Sequence, residues 1–121
     1  MGKINNILIV EDEENLAQAL NVSLQKNNFS TAIAKNGSEA IDMLKKEKYD
    51  LILLDIIMPK MDGFSLLEII RGDGNETPVI ITSNLGQGEG RGIADKFDVL
   101  HYFVKSDSNL KEIIEYIKNI N

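Results

Sequence analysis

The 121-residue chain predicts a doubly wound α/β domain, a five-stranded parallel sheet with helices on both faces. Short apolar, β-branched runs alternate with segments whose apolar residues recur at helical spacing, and this strand-then-helix unit occurs five times. The strands are near-continuous in apolar character rather than alternating, as expected of a sheet covered on both sides. The connections are short, with no linker, low-complexity tract or internal repeat, so residues 1–121 are expected to form one domain.

Each element has its own signal. Residues 4–10 (INNILIV) form a β-branched run that ends in acids, and residues 15–26 follow with Leu16, Leu20 and Leu24 four apart on one helix face. Residues 30–34 (STAIA) read as a weaker strand closed by Asn36-Gly37. Residues 38–48 read as a helix with Ile41 and Leu44 inward. The third strand is 51–54, and the helix at 64–71 follows Gly63. Pro78 opens the strand 79–82, residues 93–97 look helical, and 99–104 is the last strand. Leu110, Ile113, Ile114 and Ile117 give the closing helix an apolar stripe. The stretch GQGEGRG at 86–92 is too rich in glycine for a firm helix, since each interior glycine costs roughly 1 kcal/mol relative to alanine. It matches no phosphate-binding glycine motif and reads as a loop or a weak helix.

Bulk properties exclude several functions. A net charge of −6, with lysines interspersed among acids, argues against a direct nucleic-acid binder. With no cysteine and a single histidine, His101, thiolate chemistry, disulfides and multi-histidine metal sites are ruled out. No run reaches the roughly 18–20 apolar residues of a membrane span, and the first residues lack a signal peptide's apolar segment, so a cytoplasmic location is expected.

Open parallel sheets bind ligands at the carboxyl ends of their strands, near the point where strand order reverses. There the first strand delivers Glu11 and Asp12, the third Asp55, the fourth Thr82 and Ser83, and the fifth Lys105. Clustered carboxylates repel one another, and a hard divalent cation removes the conflict. Oxygen-only donors suit Mg²⁺, which commonly takes one or two carboxylates together with a phosphate oxygen. A metal, an ammonium and a hydroxyl around a carboxylate nucleophile are the parts of a phosphoryl-transfer site that forms an acyl phosphate. An acid ending a strand is often only a helix cap or a solvated turn, which is the plainer reading of Glu11 or Asp12 taken alone and an equal one for Asp55.

Together the acidic pair Glu11-Asp12 after ILIV, Asp55 in LILLDIIMPKMDG, Ser83 in PVIITSN and Lys105 in YFVKS resemble the receiver domain of two-component response regulators, over essentially the whole chain. The resemblance implies a flavodoxin-like (βα)5 fold with strand order 2-1-3-4-5. It also implies that Asp55 accepts a phosphoryl group from a sensor histidine kinase or phosphotransfer protein, with Pro59 and Gly63 shaping the loop beside it. Mg²⁺ would be held by Asp12, Asp55 and the Ile57 backbone carbonyl, with Glu11 in the same sphere. Lys105 would pair with one phosphoryl oxygen, and Ser83 would move to hydrogen-bond another. Tyr102 would turn inward as the aromatic switch, its alternative being an ordinary strand residue. The output would be a changed surface for a downstream effector, with phosphorylation-dependent dimerisation left open. The chain would catalyse only its own phosphorylation and dephosphorylation.

The chain departs from the family pattern in places. Ser106 follows Lys105 where receivers usually have proline, Asn84 replaces a small residue, and Asp98-Val99 replace Gly-Ala before the last strand. Ile57 and Leu85 carry no group to orient water, which implies slow self-dephosphorylation. Two other readings compete. One is a receiver-like module that binds partners without phosphorylation, disfavoured by the intact acids, hydroxyl and lysine. The other is a Mg²⁺-dependent phosphohydrolase, disfavoured by Ile57 where such enzymes carry a second acid.

Overall fold

The computed structural model describes residues 3–56, 61–83, 92, 96–104 and 109–121. Five strands, β1 (Asn6–Val10), β2 (Ser30–Ala34), β3 (Leu51–Asp55), β4 (Val79–Ser83) and β5 (His101–Val104), pair in parallel in the order β2-β1-β3-β4-β5. Among the described residues the helices are α1 (Glu14–Lys26), α2 (Gly37–Lys46), α3 (Gly63–Gly72) and α4 (Leu110–Ile120). Gly92, Lys96 and Phe97 are also helical, while Gly86, Gly88 and Gly90 lie outside the described residues.

The sheet divides the core in two because successive strand side chains point to opposite faces. Ile7 and Ile9, Leu51 and Leu53, Ile80 and Phe103 pack with Leu20 and Leu24 of α1 and Ile113, Ile114 and Ile117 of α4. Leu8 and Val10, Ile52 and Leu54, Val79 and Ile81, Tyr102 and Val104 pack with Ala40 of α2 and Leu66, Leu67 and Ile70 of α3. Both faces are thus covered, which is why the central strands need no polar alternation. Each fully buried Leu or Ile contributes about 1.5–3 kcal/mol.

Local chemistry sets the element ends. Asn36, Asp62 and Asn109 cap α2, α3 and α4, each side chain accepting from the backbone N–H three residues on at 2.9 Å. α1 closes with Phe29 N–H on Leu24 C=O and Asn28 N–H on Gln25 C=O, Asn28 taking the left-handed conformation at φ 70°. Gly74, at φ 81°, plays the same part after α3.

Three boundaries differ from the sequence expectation by two residues, each for a physical reason. β1 starts at Asn6, because the Asp50 carboxylate takes the N–H groups of Asn5 and Asn6 at 3.0 and 2.9 Å. α2 ends at Lys46, its C-cap Glu47 being already extended. β5 starts at His101 rather than residue 99, because Asp98 turns the chain at φ 56° and only Leu100 N–H, on Val79 C=O, precedes the ladder.

At the amino ends of the strands, Arg71 acts as a tie. Its Nε donates to Phe97 C=O at 3.1 Å and its Nη1 to Asn75 and Thr77 C=O, both at 2.9 Å. Partial burial holds its pKa below the usual arginine value, against the opposing influence of Asp98 and Glu76.

Candidate functional site

Strand order reverses between β1 and β3: from β1 the chain goes outward to β2, then returns to pair β3 on the other side. The residues leaving β1 and β3 therefore emerge side by side. Val10 is level with Leu54, so Glu11 and Asp55 both sit at the carboxyl edge of this crevice. Glu11 is held there by its N–H on Ala34 C=O at 3.0 Å, and its Oε2 accepts from Glu13 N–H at 3.3 Å. Glu11 and Asp55 are 2% and 4% exposed, while Asp12 faces solvent.

Glu11, Asp12 and Asp55 each offer a carboxylate oxygen, all within 4.8 Å of one another. Two unit charges at that distance repel by about 3.5 kcal/mol at an effective dielectric constant of 20, and by about 0.9 kcal/mol in bulk water. The donor set is hard and oxygen-only. Octahedral Mg²⁺ with bonds of about 2.1 Å needs its ligand oxygens about 3–4 Å apart, which a spread within 4.8 Å reaches with small side-chain rotations. These residues therefore fit Mg²⁺.

On the next strand, Asp55 is paired with Thr82, so Ser83 ends β4 one residue beyond the level of Asp55. Ser83 is fully buried. Tyr102 is level with Ile81 on β5, and is 7% exposed within the α2/α3 side of the core. The ring is buried, a position common to both readings of Tyr102. Lys105, Ile57, Pro59, Asn84, Leu85 and Ser106 lie outside the described residues, and so does the Lys105–Ser106 peptide bond.

Gly63 has a specific packing reason. A Cβ on it would lie 2.7 Å from Ile56 Cα and 2.8 Å from the Asp55 carbonyl oxygen, and its own N–H donates to Ile56 C=O at 2.8 Å. The first turn of α3 is thereby pressed against the main chain that carries Asp55. The motif in the sequence pointed to a shaped loop; the direct backbone contact is visible only in three dimensions. Sequence reasoning also missed the backbone support of Glu11 by Glu13, which carries no side-chain signature.

The profile of the response regulator receiver domain matches residues 7–118. Among curated relatives, the uncharacterized transcriptional regulatory protein YkoG of Bacillus subtilis is 40% identical over 63% of this chain and 33% of its own length. The regulatory protein AtoC of Escherichia coli is 34% identical over 87% of this chain and 23% of its own. The matched stretch spans about a third of the length of the first such relatives. Among solved structures, the receiver domain of a Francisella response regulator superposes with a TM-score of 0.88 at 31% identity, covering 96% of this chain and 95% of that one. The response regulator TrrA of Thermotoga maritima, in complex with Mg²⁺-BeF, gives a TM-score of 0.83 at 29% identity, covering 98% and 100%. With the fold, the strand order and the matched profile in agreement, the chain belongs to the family of response regulator receiver domains, the phospho-accepting domains of two-component systems.

Proposed function

We propose that Asp55 is the phospho-acceptor of this receiver and that Glu11, Asp12 and Asp55, with the Ile57 carbonyl, hold Mg²⁺. The observation that carries this reading is the gathering of three carboxylates within 4.8 Å at the point where strand order reverses. The Mg²⁺-BeF complex of TrrA supports it by analogy. Bound Mg²⁺ would supply charge neutralisation for the phosphoryl oxygens.

The Asp55 carboxylate attacks phosphorus in line. A new O–P bond forms as the P–N bond to the donor imidazole breaks, and the imidazole nitrogen takes a proton from water. Lys105 offsets charge on one phosphoryl oxygen, and the Ser83 hydroxyl donates to another. Tyr102, packed beside Ile81, reports the rearrangement. A phosphoryl group adds roughly two negative charges, and it shifts an equilibrium only through contacts that differ between the two states.

Response regulators work between histidine kinases and effectors. For this chain a sensor histidine kinase or phosphotransfer protein is the proposed donor and an effector protein the proposed reader, with the chain catalysing only its own phosphorylation and dephosphorylation. Residues 1–121 are proposed to form a single receiver domain. No helix among the described residues is long and apolar enough to cross a membrane, and a cytoplasmic site of action is proposed.

The test is intact mass after incubation with phosphoramidate and Mg²⁺. One phosphoryl group should be gained in the wild type, and none in Asp55→Asn or with EDTA. Uptake that persists in Asp55→Asn would move the acceptor elsewhere.

A further inference from the structure

The free edge of the sheet at β2 is unusually unprotected. Edge strands expose a row of unpaired N–H and C=O groups, and proteins usually blunt them with lysine, proline or a bulge. β2 reads STAIA, with no charge and no proline. The depletion extends beyond the strand. Residues 15–34, comprising most of α1, the turn and β2, contain one charged residue, Lys26, in a chain that is 26% charged.

The surface beside β2 is built from amides. Gln25 Nε2 donates to Thr31 Oγ1 at 3.2 Å and to Asn21 Oδ1 at 3.3 Å, Thr31 Oγ1 also bonds Asn21 Oδ1, and Asn21 Nδ2 reaches Gln18 at 3.5 Å. Val22, 46% exposed, lies on the same helix.

The backbone of β2 shows which groups face outward. Ser30 N–H bonds Asn5 C=O, and Ala34 C=O accepts from Glu11 N–H, so the groups of residues 30 and 34 point toward β1. Alternation places Ala32 with them and turns the N–H and C=O of Thr31 and Ile33 away from the sheet. No loop or side chain among the described residues bonds those outward groups. In an antiparallel ladder two opposed residues exchange both hydrogen bonds. A two-fold axis at Ala32 would set Thr31 opposite Ile33 of a second copy, and Ile33 opposite Thr31, satisfying all outward groups of both strands together.

We propose that β2 and the adjoining amide face of α1 form an isologous interface with a second copy of this chain, joining the two sheets edge to edge. A copy carrying −6 repels its twin over most of its surface, and this face is the stretch where that repulsion is absent. Amides and edge backbone groups are both donors and acceptors, so they complement themselves across a two-fold axis. The strand is about 17 Å long, which makes the interface small and the dimer weak. The proposal does not depend on phosphorylation.

The test combines sedimentation with backbone amide exchange from about 10 µM to about 1 mM, the range suited to a small interface. Dimer should accumulate over that range. Exchange at Thr31 and Ile33 should slow at least about tenfold, while Ala32, already bonded to β1, stays unchanged. Thr31→Lys should remain monomeric with wild-type circular dichroism. A wild type that stays monomeric throughout, a dimer that leaves Thr31 and Ile33 exchange unaltered, or a folded Thr31→Lys that dimerises normally would each overturn the proposal. If Thr31→Lys does not fold, the exchange pattern of the wild type decides.

Discussion

The two ends of the sheet handle charge in opposite ways. At the amino end, Asp50 gives its carboxylate to the N–H groups of Asn5 and Asn6, and Arg71 gives its guanidinium to three backbone carbonyls. Each is bound to main chain and serves the fold. At the carboxyl end, Glu11, Asp12 and Asp55 are drawn toward one another. Charges dispersed onto backbone dipoles stabilise the protein as it stands. Charges concentrated together repel, which suits the cation proposed for this site, and that difference separates a pole that holds the fold from the proposed functional one.

Substitutions should therefore have opposite signs at the two ends. The largest loss is expected for Arg71→Met, about 2–3 kcal/mol in urea unfolding, with or without Mg²⁺, because three carbonyls lose a charged donor. A loss that appeared only in Mg²⁺ would erase the distinction between the poles. Asp50→Ala should cost about 1–2 kcal/mol, with faster amide exchange at Asn5 and Asn6 as its signature. Asp12→Asn should do the reverse. In EDTA its melting temperature should rise by about 2–4 °C as repulsion is relieved, and the further rise on adding Mg²⁺ should be smaller than in the wild type. A lower melting temperature in EDTA would mean that the acids are not in conflict. The smallest effect is a gain of about 0.5 kcal/mol for Asp98→Gly, which relaxes a left-handed backbone at φ 56° and gives up attraction to Arg71.

Much of this was legible in the sequence. The apolar runs at Ile7–Val10, Leu51–Leu54 and Val79–Ile81 announce buried strands because a sheet covered on both faces demands them. The acids at the strand ends follow from the parallel topology. The parts that were not legible have no period. Asp50 acts on Asn5 and Asn6, and Arg71 on Phe97, all distant in sequence, and nothing in their neighbours signals it. The late start of β5 depends on a single φ at Asp98, where the Asp-Val departure from the family pattern gave a hint only in retrospect. Gly63 was readable as a turn residue but not as a contact, since the atoms it meets belong to the end of another element.

That contact has a consequence for how such a domain can vary. Because the first turn of α3 meets the Asp55–Ile56 main chain at Gly63, the spacing between Asp55 and the start of the helix does not depend on the helix's outward side chains. The outward positions Ser65 and Glu68 are then free to diversify, and a library randomised at those two sites should yield folded variants that share one placement of Asp55.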